Sequence, residues 1–156
     1  METTSQPYHS ANAPLDFGFD VNTVDTGYPI IPSGTYKATI QKVDVKDKAD
    51  GQGQVLKVTF VIDQEVTAES GALIPPGFHK LSKSYSLDPE HVSFILRLHD
   101  AVHGSKKGTR PPVVPNEWEG KSIALGVSID AERTDPKTGR EYARSNNVAT
   151  TSYLRQ

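Results

Sequence analysis

Apolar and polar residues alternate with a period of two in several short segments of the chain. The clearest is "VLKVTFVID", in which Leu56, Val58, Phe60 and Ile62 share one side. A run over 121–130 repeats the pattern, and weaker runs cover roughly 78–87 and 140–153. Alternation of this kind is typical of β-strands with one face buried. The sequence therefore predicts a mainly β protein.

A further strand begins in "IPSGTYKATIQKVDV", where the alternation changes phase. Tyr36, Ala38 and Ile40 share one side, and after Ile40 the apolar positions move to Val43 and Val45. An extra residue in one strand of an antiparallel pair produces such a shift, and it also bends the strand. We therefore predict a β-bulge directly after Ile40.

The segment "SYSLDPEHVSFILRLHDAVHG" (84–104) has the period of a helix instead. Asp88 is a suitable N-cap, Pro89 suits the first helical position, and Gly104 suits the C-terminal cap. One broad arc of the predicted helix is apolar and contains Val92, Ile95, Leu96, Leu98 and Val102.

Three strands, one helix and two strands follow one another over residues 31–156. This order predicts a five-stranded Greek-key OB-fold barrel with its helix between strands 3 and 4. A β-sandwich is the alternative. Residues 1–30 lack periodicity and are expected to form a flexible acidic N-terminal arm. Within the arm, "LDFGFD" either packs loosely on the domain or docks as an acidic-aromatic peptide on a basic groove.

The distribution of charge is more informative than its sum, which is −2. Residues 1–30 hold four acids and no Lys or Arg, so 17 basic and 15 acidic residues remain over 31–156, a net of +2. An acidic arm on a mildly basic body hints at an electrostatic partner. The chain has no Cys, no apolar run of about 20 residues and no secretory signal pattern, and we expect a cytoplasmic protein.

Two long segments resemble small phage proteins that bind single-stranded DNA with an OB-fold. They are "IPSGTYKATIQKVDVKDKADGQGQVLKVTFVID" and "EGKSIALGVSIDAERTDPKTGREYARSNNVATTSY", which together span roughly 31–153. The resemblance implies sequence-independent binding of single strands in DNA replication or recombination. The chain departs from better-known relatives at its C-terminus, "TTSYLRQ", where those often carry an acidic tail with a terminal aromatic residue.

Binding a single strand without sequence preference requires cations for phosphates and flat rings for bases. An OB-fold offers these on strands 2 and 3 and on the loops beside them. The candidates in this chain are Lys37, Lys57, Lys80, Lys83, Tyr85, Arg133, Lys137, Arg140, Tyr142 and Arg144. Tyr85 is equally compatible with the core, because Leu81, Lys83 and Tyr85 share a face. Gly126 is expected to permit close approach of a ligand backbone.

Other function classes have weaker support in the sequence. No nucleophile elbow, phosphate-binding loop or dinucleotide motif is present, so we expect neither catalysis nor a cofactor. His99 and His103 have metal-ligand spacing, but His99 lies within the apolar arc and is expected in the core, as is Trp118. Single-stranded DNA is the expected partner, with RNA as the alternative polymer. Replication or recombination proteins, and further copies of the chain in an oligomer or a cooperative array, are also expected.

Two non-nucleic-acid hypotheses stay open. The first is a β-barrel that binds other proteins or forms part of a phage structure, with Val55 and Val61 at its interface. The second is a glycan-binding β-sandwich, whose affinity would depend little on salt.

Overall fold

The computed structural model describes residues 11–16, 18, 29–49 and 51–154. Nine strands, one α-helix and two 3₁₀ helices, Pro89–His91 and Pro115–Trp118, lie within these ranges. The strands are β1 (Gly34–Asp47), β2 (Gln54–Ile62), β3 (Val66–Thr67), β4 (Leu73–Ile74), β5 (Lys80–Ser86), β6 (Ser122–Asp130), β7 (Arg133–Thr134), β8 (Glu141–Tyr142) and β9 (Ser145–Ser152). The helix is α1 (Val92–His103). The predicted mainly β architecture with one helix is confirmed, whereas most of the predicted N-terminal arm lies outside the described residues.

Five strands form one antiparallel sheet in the order β5-β2-β1-β6-β9. In the described part of the chain no ladder joins the edge strands β5 and β9, so the sheet is not closed into a barrel. The two edges nevertheless approach each other, because Lys83 Nζ donates a hydrogen bond to the carbonyl oxygen of Val148 at 3.0 Å. Strands β3 and β4 form a separate hairpin, as do β7 and β8.

The predicted bulge in β1 is confirmed. Ile40 lies opposite Phe60, but Lys42 lies opposite Thr59, which leaves Gln41 as the extra residue. Ile40 is buried before the bulge and Val43 after it. The bulge therefore keeps the core side of β1 apolar on both sides of the bend.

The core side of β2 is formed by the predicted alternation. Leu56, Val58, Phe60 and Ile62 are each at most 1 % exposed. At about 25 cal/mol for each Å² of buried apolar surface, full burial of such a side chain is worth about 1.5–3 kcal/mol. This strand is therefore a major source of the hydrophobic stabilisation.

Trp118 and His99 are both fully buried, as predicted. Trp118 Nε1 donates a hydrogen bond to His99 Nδ1 at 3.2 Å. The indole nitrogen is only a donor, so Nδ1 is the acceptor, and His99 Nε2 donates to the carbonyl oxygen of Pro111 at 2.9 Å. Both imidazole nitrogens are thus used within the core, and His99 is not arranged to bind a metal together with His103.

The start of the helix differs from the prediction. A 3₁₀ turn, Pro89–His91, separates Asp88 from α1, and the Asp88 side chain makes no capping hydrogen bond. Its carboxylate instead accepts a hydrogen bond from Lys48 Nζ at 2.7 Å. Ion pairing to the loop after β1 has replaced the predicted helix cap.

The buried side of α1 is rotated from the predicted arc. Its buried residues are Ile95, Leu98, His99 and Ala101. Val92 was predicted to be buried and is 43 % exposed, because it begins the α-helix directly after the 3₁₀ turn. Gly104 ends the helix as predicted, with a left-handed φ of 63° that favours glycine.

The predicted fifth strand over 140–153 is divided in two. Strand β8 pairs with β7 across the predicted turn at 135–139, and only β9 joins the main sheet. The chain leaves one ladder for the other at Ala143 and Arg144. The β3–β4 hairpin was not predicted.

Gly126 is approached by its own chain rather than left open for a ligand. The register of β6 with β9 shifts between Gly126 and Val127, which lie opposite Thr150 and Val148. A Cβ atom at Gly126 would collide with Thr150 Oγ1. The predicted role of Gly126 in ligand approach is therefore wrong: the glycine makes room for the Thr150 side chain.

We predict that Gly126→Ala lowers the free energy of unfolding by about 1–3 kcal/mol through this collision. Thr150→Ala should restore much of the loss, since it removes the clashing oxygen. Urea unfolding of the two single variants and the double variant measures both effects, with Ser128→Ala of the same strand as the control. Equal losses with and without Thr150→Ala would contradict this explanation.

Candidate nucleic-acid interface

One side of β1, β2 and β5 faces away from the core, and we call it the outer face. Lys57 of β2 lies opposite Asp44 of β1 and Ser84 of β5. Every second residue of β2 and β5 shares this side, as does every second residue of β1 on either side of its bulge. The outer face comprises Lys37, Thr39, Lys42, Asp44 and Lys46 of β1, Val55, Lys57, Thr59 and Val61 of β2, and Lys80, Ser82, Ser84 and Ser86 of β5. It therefore carries five lysines of the described chain among mostly small side chains.

Three predicted site residues meet on the outer face, namely Lys37, Lys57 and Lys80. Lys37 Nζ lies 3.7 Å from a carboxylate oxygen of Asp63, a half-exposed pair of small energetic value. Lys57 is half-exposed, with Ser84 across from it on β5 and Asp44 across from it on β1. The short Ser84 side chain leaves room for a phosphate on the β5 side of Lys57.

Lys83 and Tyr85 lie on the opposite side of β5. Tyr85 is 6 % exposed and belongs to the core, and burial raises the pKa of its hydroxyl. Lys83 lies over the Tyr85 ring, 5.6 Å from its centroid, and is bonded to β9. The structure thus decides the open question of Tyr85 in favour of the core, and Tyr85 is not a stacking platform on the outer face.

The β7–β8 hairpin gathers most of the other predicted residues. The Arg133 and Arg140 guanidinium carbons lie 4.6 Å and 5.1 Å from the centroid of the half-buried Tyr142 ring. Lys137 lies at the turn, where its backbone N–H donates to Asp135 Oδ1 at 2.8 Å. The hairpin therefore gathers two guanidinium groups around one aromatic ring, and groups of both kinds can stack on bases.

The hairpin and Lys80 lie toward the same end of the sheet. The hairpin follows the end of β6, and that end pairs with the start of β1, since Val127 lies opposite Gly34. The first half of β1 pairs with the end of β2. At that end of β2, Val61 lies opposite Lys80 of β5. Ala143 and Arg144, which directly follow β8, line one cavity together with Lys80, so the hairpin adjoins the Lys80 end of the outer face.

Arg144, the last predicted phosphate ligand, is paired within the protein. Its guanidinium donates two hydrogen bonds to the Glu69 carboxylate, at 2.9 Å and 3.1 Å. Arg144 lowers the pKa of Glu69, and Glu69 raises the pKa of Arg144. The turn of the unpredicted β3–β4 hairpin therefore supplies a counterion to Arg144, and the contact of Arg144 with a nucleic acid stays a prediction.

Sequence reasoning missed Phe78, which is 77 % exposed. It lies in the turn before β5, where its N–H donates to the Pro75 carbonyl oxygen and the Gly77 N–H donates to that of Ile62. Phe78 is thus exposed two residues before Lys80, whereas the neighbouring His79 is only 5 % exposed. The available signal was a large apolar residue directly after the turn sequence "IPPG". Because Phe78 adjoins Lys80 along the chain, we count it with the outer face, at the Lys80 end.

Among the described residues, one group could offer a metal ion three ligands. Asp88, Glu90 and His91 bring one ligand atom each within 4.8 Å of one another. Lys48 already pairs with Asp88, and this hydrogen bond is the main reason that the pKa of Asp88 is lowered. Clustered surface acids of this kind do not by themselves indicate a metal.

Comparison with known proteins adds no family to this description. No protein-family model matches the chain, and no curated protein sequence matches it. Within the described residues, no helix is both long enough and apolar enough to cross a membrane.

A cavity of about 260 Å³ lies beside the outer face, between the start of β5 and the start of β9. His79 lines it together with Lys80 and Arg144. His79 Nε2 is buried without a hydrogen-bond partner among the described residues. Because burial disfavours the charged imidazolium, the pKa of His79 is lowered from its ordinary 6.5.

We predict that His79 makes the protein less stable in mild acid. Below pH 6.5 the unfolded chain takes up a proton that the folded chain does not, so the free energy of unfolding falls as pH decreases. One such group contributes at most about 1.4 kcal/mol per pH unit.

Urea unfolding at several values between pH 7.5 and about 5 tests this linkage. His79→Leu should show a shallower decline than the wild type. His91→Asn is the control, because His91 is an exposed histidine outside the His79 cavity. Identical pH profiles for His79→Leu and the wild type would refute the prediction.

Proposed function

We propose that this protein binds single-stranded DNA without sequence preference, using the outer face and the β7–β8 hairpin. The observation that carries the proposal is the gathering of Lys37, Lys57 and Lys80 on one side of the sheet, with the exposed Phe78 two residues before Lys80. Lysines there neutralise phosphates, and Phe78 supplies a flat ring for a base. A surface of lysine and aromatic side chains favours the polymer over any particular base.

We also propose that the fold is a partly open OB-fold. Counted along the chain, the long strands β1, β2, β5, β6 and β9 are the first to fifth, and the first four have the Greek-key order 4-1-2-3. The approach of β5 to β9 through Lys83 supports a barrel that is almost closed. A single continuous sheet fits this fold better than two stacked sheets do.

In the proposed mechanism the protein acts stoichiometrically, with neither catalysis nor a cofactor. Ammonium and guanidinium groups displace the cations condensed on the strand, and their release drives binding. The small net charge of the body predicts moderate affinity for each domain. Cooperative neighbours or an oligomer would raise the total affinity on long strands.

The proposed setting is DNA replication or recombination in the cytoplasm of a host cell, with the chain encoded by a phage. Replication or recombination proteins would be its protein partners, and RNA would be the competing polymer. The grounds for this setting are the resemblance of 31–153 to phage single-stranded-DNA-binding proteins.

A second candidate is a protein-interaction module or a phage structural component. The observation that favours it is the exposure of two apolar side chains, Leu73 at 65 % and Phe78 at 77 %. Val55 and Val61, the residues expected at such an interface, are only partly exposed. A protein partner would therefore engage the β3–β4 hairpin and Phe78 rather than the centre of β2.

The charge contribution is tested by fluorescence anisotropy with labelled oligo-dT and a matched duplex from low to moderate salt. We predict preference for the single strand and a linear fall of log affinity with log salt concentration. Lys57→Gln and Arg140→Gln should each weaken binding and reduce the slope by about 0.7, the value for one phosphate contact on a single strand. Lys107→Gln, in the connection after α1, is the control. Unchanged affinity and slope in both test variants would contradict the proposal.

The stacking contribution is tested with Phe78→Ala. We predict a loss of about 1–3 kcal/mol in binding free energy with an unchanged salt slope, because a stacked base is lost but no phosphate contact. Leu73→Ala, an exposed apolar residue outside the outer face, is the matched control. Equal effects of the two substitutions on DNA binding would contradict the stacking of a base on Phe78.

A further inference from the structure

A groove runs along α1, where the helix meets the edges of β5 and β9. It consists of three cavities that share lining residues, the middle one with a volume of about 270 Å³. The first cavity lies between β5 and the start of α1, and it shares Lys83, Tyr85 and Phe94 with the middle cavity. The last cavity lies between α1 and the end of β9, and it shares Arg97 and Ser152 with the middle cavity. We call this continuous channel the α1 groove.

The α1 groove combines positive charge with flat rings. The Arg97 guanidinium carbon lies 5.4 Å from the centroid of the Phe94 ring, which is 45 % exposed. His91 lies on the other side of the first cavity from β5, with its ring 6.5 Å from that of Phe94 and 23° from parallel. Lys83 adds a second cation at the seam between β5 and β9. Such a surface suits a polymer that alternates negative charges with planar groups.

The carboxylate at the far end of the groove does not cancel this charge. Asp100 accepts two hydrogen bonds from the Arg110 guanidinium, both at 2.9 Å, and one from Ser105 at 2.8 Å. These partners lower the pKa of Asp100 and neutralise its charge locally. Arg97, in contrast, forms no ion pair with any described carboxylate.

The α1 groove is continuous with the outer face. Ser84 and Ser86 belong to the outer face, and both line the first cavity beside Lys83 and Phe94. A strand that crosses β5 over these serines therefore arrives at Phe94 without leaving the protein surface. This continuity favours a nucleic acid over an acidic peptide as the occupant.

We propose that the α1 groove is a second binding segment for the same single strand. Nucleotides that leave the outer face stack a base on Phe94 and place their phosphates at Arg97 and Lys83. The inference rests on the proposed function, because it extends the path of the bound strand. It assigns a binding role to a helix whose other side contributes to the core.

The experiment compares two lengths of oligo-dT. The shorter, about 6 nucleotides, falls within the range of binding-site sizes seen for single OB domains, and the longer, about 20 nucleotides, exceeds that range. On the longer oligomer, Phe94→Ala should weaken binding at least about 5-fold. Arg97→Gln should weaken it and reduce the salt slope by about 0.7. On the shorter oligomer, which the outer face alone accommodates, both variants should bind like the wild type. Ser93→Ala, on the exposed side of α1, and Lys107→Gln are the controls.

The outcomes separate this inference from the proposed function. If the wild-type protein binds neither oligomer, the proposed function is overturned and the groove with it. If the wild-type protein binds both oligomers, and Phe94→Ala and Arg97→Gln bind the longer one with unchanged affinity, the groove alone is overturned. Loss of poly-glutamate binding in these variants, with both oligomers bound normally, would identify an acidic peptide as the occupant and would also overturn it.

Discussion

The bulge at Gln41 turns β1 from one partner strand to another. Residues 34–39 of β1 pair with β6, and residues 38–47 pair with β2, so the strand serves two neighbours in succession. An extra residue bends the strand and increases its twist, which allows the sheet to curl. The curl brings the outer strands β5 and β9 toward each other, where Lys83 bridges them. The outer face and the α1 groove both depend on this bend, because it sets where the β5 edge lies.

The same side-chain alternation that builds the core also builds the proposed binding surface. On β2, each buried residue alternates with one on the outer face, so the burial of Leu56 and Val58 fixes the direction of Lys57. A shift of the register by one residue would bury Lys57 and expose the core set. The position of the lysine is therefore a consequence of hydrophobic burial and needs no interaction of its own.

Local pattern was sufficient to predict the features that depend on one segment. The alternation of β2, the bulge after Ile40 and the glycine that ends the helix depend on residues close in sequence, and all three are confirmed. The roles of Asp88 as a helix cap and of Arg144 as a nucleic-acid ligand were predicted from local context alone. Their actual partners, Lys48 and Glu69, lie 40 and 75 residues away, and only the fold brings them together.

The candidate site was predictable to a similar extent. Lys57 follows from a clean alternation, whereas the position of Tyr85 depends on which side of β5 faces the core. That choice is made by packing against the rest of the core, so the local sequence leaves it open. The α1 groove depends on the meeting of three elements that are distant in sequence, and no single segment indicates it.

Titration of ¹⁵N-labelled protein with oligo-dT, followed by amide chemical shifts, tests the central claim most directly. The account predicts that the largest shifts fall on the outer-face residues of β2 and β5, on Phe78 and on the β7–β8 hairpin. Absence of shifts at low salt, or shifts confined to the β3–β4 hairpin, would contradict it.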